Sequence, residues 1–340
     1  MKEKIIERKD AGQRLDKYLN KLLPEAGTSF IYKMLRKKNI VLNGKKAGGN
    51  EKLNEDDTVR LYFSDETYEK LSGHNTAVIN DKNNADVKNK KNHALPKIIY
   101  EDADILFMHK PAGMLSVPDG SKNESANDIL KLYCEERYGR QDTYSPSVCN
   151  RLDRNTEGLL MCAKTYAASR FFDECIKRHF VRKYYLALCE GEIKEELILD
   201  GYIKKDERSN KVKVVSSGDE SRHIKTRIVP LEYSDGHSLL MVELISGKSH
   251  QIRAHLASVG HPLAGDIKYG GHPYRGLKHQ ALAAVRLEFE KVLPEDMPEN
   301  IRDIHAALLK SIPSGHVSVL PEFAIRLQIN YNTFLTVSGE

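Results

Sequence analysis

Apolar residues near the N-terminus recur at helical spacing. Leu15, Tyr18, Leu19 and Leu22 share one face, which predicts a helix. Pro24 and Gly27 end it, and Thr28 or Ser29 can cap a second helix. In that helix Ile31, Met34 and Leu35 form the apolar face, while Lys33, Arg36 and Lys37 form the opposite one. A strand at Ile40–Leu42, a tight turn at Asn43-Gly44 and Lys45-Lys46 follow. Val59, Leu61 and Phe63 alternate as a further strand. The pattern then breaks. Residues 80–93 hold eleven Asn, Asp or Lys out of fourteen, too little apolar surface to offset the entropy of ordering them. Residues 64–95 therefore read as a flexible linker and a domain boundary.

Beyond the linker, strands are expected at Ile98–Tyr100 and Ile105–Met108, and Lys110-Pro111-Ala112-Gly113 breaks the chain. Leu159–Ala163 reads as a buried strand, residues 178–188 as an aromatic and β-branched one, and Leu239–Ile245 as a third. Ile252, Leu256 and Val259 give a helical stripe that Ser249 can cap and Gly260 can end. Strands and helices mix without the alternation of a doubly wound sheet, and no Gly-rich phosphate loop joins a strand to a helix. The body thus reads as α+β with a mainly antiparallel sheet, preceded by a small α/β module. After Val292, Ile304, Leu308 and Ile312 suggest a helix, and Ile325, Leu327, Ile329 and Tyr331 alternate as a strand would. Residues 292–340 have no functional reading.

The 340 residues suggest two or three domains. Apolar runs such as Leu159–Ala163 fall far short of the ~20 residues of a spanning helix, and the N-terminus lacks the apolar core of a secretory signal. A cytoplasmic protein, monomeric and away from membranes, is expected. The five cysteines contain no CxxC pair and the thirteen histidines no HExxH, so neither a metal nor a redox dithiol is expected. The charge is unevenly placed. Residues 1–63 hold 15 Lys/Arg against 9 Asp/Glu, a net +6 within a chain of +5. That fits a polyanion-binding module, although charge alone equally describes a solvated lysine-rich surface.

Three segments carry candidate chemistry. Asn150-Arg151-Leu152-Asp153-Arg154 is a polar loop feeding a buried strand; alone, Asp153 reads as an ion-pair residue. In Ser246-Gly247-Lys248-Ser249-His250-Gln251-Ile252-Arg253, Lys248 and Arg253 flank a helix start. Cations there are disfavoured by ~0.3–1 kcal/mol unless an anion, such as a phosphate or Asp153, lies nearby. Alone, Arg253 reads equally as a side chain reaching solvent. Tyr185, in Lys183-Tyr184-Tyr185-Leu186-Ala187, is either a core tyrosine or a platform for a nucleobase.

Taken in chain order, the segments resemble the RluA/RluC/RluD-type pseudouridine synthases over about residues 97–290, with Asn-Arg-Leu-Asp at 150–153 standing for the family's His-Arg-Leu-Asp. The Lys-x-Tyr-x-Ala strand is matched at 183–187. The Gly-Lys-x-His-Gln-Ile-Arg helix is matched from Gly247 and extended by Gly260-His261-Pro262-Leu263-Ala264-Gly265-Asp266-x-x-Tyr269-Gly270. Residues 12–63 resemble the small RNA-binding domain named after bacterial ribosomal protein S-four, through Arg14-Leu15-Asp16-Lys17, Ser29–Lys37 and Val41-Leu42-Asn43-Gly44-Lys45. The resemblance implies Asp153 as catalytic aspartate, Tyr185 packed on the target base, Arg253 paired with Asp153, and Arg151 filling the space of the flipped nucleotide. Lys33, Arg36, Lys37, Lys45 and Lys248 are the further RNA contacts expected. Two positions depart from the family: Asn150 replaces the usual His, and Glu157 stands where Ser or Thr is frequent.

The implied reaction breaks the bond from uracil to ribose, turns the base and rejoins it through a ring carbon. Both halves stay in the site, so one carboxylate acting on the sugar as nucleophile or base is enough, where a glycosidase uses two. No cofactor is needed. The expected partner is RNA, foremost large-subunit ribosomal RNA. Transfer RNA is the alternative substrate, and a non-catalytic RNA-binding, ribosome-associated factor is the alternative function.

Overall fold

The structure is a computed structural model and describes residues 1–73, 96–139, 143–206 and 211–329. The N-terminal module comprises β1 (Lys2–Ile5), α1 (Leu15–Leu22), α2 (Thr28–Arg36), β2 (Ile40–Leu42), β3 (Lys45–Lys46) and β4 (Thr58–Leu61). Its antiparallel sheet has the order β1-β4-β2-β3. Leu15, Leu19, Ile31, Leu35, Ile40, Val59 and Leu61 form its core, each at most 1% exposed. Asn43 and Gly44 both have positive φ, 50° and 71°, as a two-residue hairpin turn requires. The second helix starts one residue earlier than expected: Gly27 is its N-cap and Thr28 lies inside it.

The linker expectation needs correction at its start. Asp65–Ser72 forms α3, because the Ser64 hydroxyl accepts the Thr67 N–H at 3.2 Å and Gly73 closes the helix at φ 71°. Tyr68 and Leu71 pack on the module's core. The Asn/Lys-rich stretch itself lies outside the described residues.

The module docks on the body. Arg8 forks onto Asp104, 2.7 and 3.2 Å away. The Thr143 hydroxyl donates to buried Asp10. The Lys21 ammonium lies 5.7 and 5.9 Å from the Tyr144 and Tyr166 ring centres.

The body is built on an 11-stranded sheet. Its strands and helices are β5 (Lys97–Glu101), β6 (Ile105–Lys110), α4 (Ala126–Tyr138), β7 (Ser147–Val148), β8 (Glu157–Ala163), α5 (Tyr166–Lys177), β9 (Val181–Glu190), β10 (Leu197–Asp206), β11 (Lys211–Val215), β12 (Arg222–Ser234), β13 (His237–Leu244), α6 (Gln251–Ser258), β14 (Leu282–Phe289), α7 (Glu299–Ser311), β15 (His316–Ser318) and α8 (Glu322–Arg326). The main path runs β11-β10-β12-β13-β9-β14-β8-β6-β5. Every pairing is antiparallel except β14 with β8, as the α+β reading anticipated. Alternate strand residues feed two cores: Leu106 and Met108 pack with α4 and α6, while Ile105 and Phe107 pack with α5 and α7. Among the described residues no helix is long and apolar enough to cross a membrane.

The tail, which has no functional reading in the sequence, is part of the body. Ile301, Ile304 and Leu308 of α7 join the second core, β15 pairs with β14, and Phe323 and Ala324 of α8 are buried on the sheet. Residues 322–326 are helical where alternation suggested a strand. Buried Glu157 explains this: its carboxylate accepts the Glu322 and Phe323 backbone N–H groups at 3.0 and 3.2 Å, fixing the first turn of α8. Tyr331 lies outside the described residues.

Candidate active site

Asp153 sits in the loop between β7 and β8, its side chain about one-fifth exposed. That loop is held from below. Lys110, fully buried at the end of β6, donates to the carbonyls of Pro111, Met114 and Arg154 at 3.1, 2.9 and 3.1 Å. Burial pushes its pKa down to about 8, while Asp153 and Glu157 pull it back, so the ammonium keeps its proton at neutral pH. The Ser116 hydroxyl accepts from Leu152 N–H and donates to Leu152 carbonyl, at 3.0 and 2.9 Å. The Asn150 amide donates to the Leu159 carbonyl at 3.2 Å and accepts the Met161 N–H at 2.7 Å.

Two expected outcomes follow. Lys110→Met strips the charged donor from a buried site, and should destabilise the protein by roughly 2–4 kcal/mol and slow turnover through a loosened loop; urea unfolding beside activity measures both. Asn150 grips β8 rather than the Asp153 carboxylate, so Asn150→His should change turnover by less than about tenfold, ~1.4 kcal/mol in barrier. A hundredfold change in single-turnover rate would show that position 150 bears on the chemistry.

Arg253 lies in α6 and is 7% exposed. Its strongest partner is Asp266: Nε and one terminal nitrogen donate to the two carboxylate oxygens, both at 2.7 Å. The other terminal nitrogen donates to Asp153 at 3.3 Å. Burial works against the charge, but Asp266 and then Asp153 outweigh it and hold the guanidinium charged. The expected Asp153 pairing is present, and a second carboxylate, Asp266, fixes the fork that makes it.

His250 is the N-cap of α6, where Ser249 was expected, and has a left-handed backbone at φ 55°. Its Nε2 lies 3.7 Å from Asp153, and its Nδ1 is 2.8 Å from the Tyr269 hydroxyl. That hydroxyl also accepts the Val212 N–H at 2.9 Å, which fixes the Tyr269 ring against the start of α6. Burial lowers the His250 pKa, against the pull of Asp153. Gln251 ties the preceding loop down: its amide donates to the Lys225 carbonyl and the Thr226 hydroxyl and accepts from Ser246 and the Lys248 N–H, all within 3.1 Å. Val259, expected on the buried stripe, is exposed beyond the helix end.

Tyr185, on β9, is 7% exposed. Burial raises its pKa, and the charge of Asp153 adds to the rise, so the phenol is neutral and lies within electrostatic reach of the carboxylate. Arg151 and Lys248 are exposed. Asp153, Arg253 and Tyr185 are therefore brought together from three distant segments. Lys33, Arg36, Lys37 and Lys45 lie elsewhere, exposed on the module, with no side-chain partner among the described residues. Among those residues no cluster of three His, Cys, Asp or Glu suits a metal ion.

Sequence reasoning gave no role to Lys110, His250, Asp266 or Tyr269. Asp266 was the most accessible of these, since an arginine at a helix start calls for a carboxylate, and the Asp266-x-x-Tyr269 motif supplies one.

One partly exposed carboxylate, clamped by a buried arginine beside a flat ring, is suited to single-carboxylate chemistry on a nucleoside. Residues 104–258 match the RNA pseudouridylate synthase family. The uncharacterised RNA pseudouridine synthase of Mycoplasma genitalium is 30% identical over 305 residues, 86% of this chain and 91% of that protein. Ribosomal large subunit pseudouridine synthase C of Rickettsia bellii is 33% identical over 261 residues, 76% of this chain and 82% of that one. Ribosomal large subunit pseudouridine synthase D of Yersinia pestis is 27% identical over 321 residues, 87% and 92% of the two chains. The chain belongs to the RNA pseudouridine synthase family, of the RluA/RluC/RluD type, and is an isomerase that converts uridine to pseudouridine in RNA.

Proposed function

We propose that the chain isomerises specific uridines of large-subunit ribosomal RNA, with Asp153 as the catalytic carboxylate. The observation that carries the roles is the Arg253 guanidinium, locked on Asp266 and donating to Asp153 at 3.3 Å. The RNA class is supported by the names of the relatives matched over most of both chains. The target uridine leaves its stack and its base packs on Tyr185, a contact worth ~1–3 kcal/mol. Arg151, exposed beside the site, fills the space it leaves. Asp153 acts on the sugar as nucleophile or base while the bond from C1′ to N1 breaks. The uracil turns, C5 bonds to C1′, and the hydrogen on C5 departs as a proton. No atom is gained or lost between uridine and pseudouridine after the proton returns to N1.

That lost hydrogen is the assay. Large-subunit ribosomal RNA transcribed with tritium at uracil C5 should release tritium to water. Release from transfer RNA alone would overturn the ribosomal target, and release from neither would favour a non-catalytic RNA-binding factor.

The N-terminal module binds RNA in this reading, as the domain it resembles implies, through Lys33, Arg36, Lys37 and Lys45. Removing residues 1–95 should weaken RNA binding and reduce the salt slope by roughly 0.7–0.9 per lost phosphate contact, with turnover at saturating RNA retained. A collapse of the maximal rate with affinity unchanged would instead mean that the docked module helps shape the site.

A further inference from the structure

Lys183 lies on β9 two residues before Tyr185, so both side chains leave the strand on the same side. It is half-buried, yet among the described residues its ammonium has no hydrogen bond and no carboxylate at ion-pair distance. The ammonium rests against Gly247: a β-carbon on that residue would stand 3.2 Å from Nζ. The charged group acting on Lys183 is another cation, Lys248, and both burial and Lys248 lower its pKa. Carboxylates do stand on the neighbouring strands, but Glu243 and Glu288 sit opposite Tyr184 and Arg182 in register. They are engaged there, Glu243 with Arg227 at 3.6 Å and Glu288 with Arg182 at 2.9 Å.

A half-buried ammonium with water but no anion for a partner is only partly compensated for the solvation it gives up, and a second cation beside it makes its charge less favourable still. The arrangement becomes favourable when an anion enters from outside. Lys248 is two residues before His250, whose ring is 3.7 Å from Asp153, and Lys183 is two residues before Tyr185 on β9, so both lysines stand in the segments that build the site. The sugar's own phosphates are only a few bonds from C1′.

We propose that Lys183 and Lys248 together form a subsite for one backbone phosphate beside the flipped uridine, a proposal that rests on the function above. Lys183 anchors from the sheet and Lys248 closes from the loop, with Gly247 leaving room for the ammonium between them. The site positions the nucleotide and takes no part in bond making.

The test uses the full-length protein carrying Asp153→Asn, which holds RNA without converting it, and a large-subunit ribosomal RNA transcript in filter binding across potassium chloride. Lys183→Met and Lys248→Gln should each lower the slope of log affinity against log salt by roughly 0.7–0.9. Lys183→Arg should restore the slope. The double variant should lose no more than either single one, because both lysines serve one phosphate. In proteins with Asp153 intact, tritium release should show a raised KM. Unchanged slopes in the single variants, or fully additive losses in the double, would overturn the subsite. Lys248→Gln changes an exposed loop side chain and decides the matter if Lys183→Met does not fold. Absence of tritium release by the unaltered protein would instead overturn the function itself, and the subsite with it.

Discussion

Asp153→Asn should abolish pseudouridine formation while leaving the fold and RNA binding intact. The amide is nearly isosteric and its oxygen can still accept the Arg253 N–H, whose present length is 3.3 Å. It cannot serve as a carboxylate nucleophile or base. The loss should exceed about ten-thousand-fold, roughly 5.5 kcal/mol of barrier. Single-turnover tritium release, with the melting temperature as a control for folding, checks it. Measurable turnover in a preparation free of wild-type protein would remove Asp153 from its role. The loop around Asp153 supports a local effect, since Lys110, Ser116 and Asn150 bind its backbone or the neighbouring strand rather than the carboxylate.

Gly158→Ala should cost about 4 kcal/mol or more, at the far end of single-substitution effects. Gly158 is the second residue of the strand after the Asp153 loop, where β8 runs parallel to β14 with Gly158 opposite Ala284. A β-carbon there would fall 2.2 Å from the Ala284 carbonyl oxygen and 2.5 Å from its nitrogen, and the backbone is left-handed at φ 125°. Both neighbours are main chain in a buried sheet, so neither can swing aside. The strands must part, taking with them Glu157 and its grip on α8. Urea unfolding should show a large fall in the midpoint. An unchanged midpoint would mean that this parallel pair tolerates separation and that its close approach is not what the glycine serves.

These two residues lie five apart in one motif, yet they became legible by different routes. Asp153 alone read as an ion-pair residue, and its catalytic role and its pairing with Arg253 came from resemblance to known sequences. Nothing in the sequence said that Gly158 meets Ala284, because that contact joins strands more than a hundred residues apart. The same holds for Glu157. It reads as a departure from the family pattern in the sequence, and in the structure it holds the first turn of α8. A period-two pattern in Ile325, Leu327 and Ile329 suggested a strand, but a short apolar alternation is weak beside two backbone N–H groups already claimed by a buried carboxylate.

What the sequence determined by itself was local and repetitive. The apolar spacing of Leu15–Leu22, the Ile31-Met34-Leu35 face and the Asn43-Gly44 turn each depend on residues within one turn or hairpin, so period and backbone preference suffice. The lack of strict strand-helix alternation likewise placed the body in the α+β class. Tertiary structure alone decided the rest. Arg253 could have been paired with Asp153, a phosphate or solvent on sequence grounds; packing gave it Asp266 first and Asp153 second, because the Asp266 turn is buried against α6 while Asp153 is left partly open. Lys110 became the support beneath the loop only once three carbonyls converged on its ammonium. The basic module, separable by charge and by the Asn/Lys-rich stretch, proved to rest on the body through Arg8, Asp10 and Lys21. Such contacts are set by which surfaces meet in space. Composition and periodicity report the faces an element can bury and leave open what it will find there.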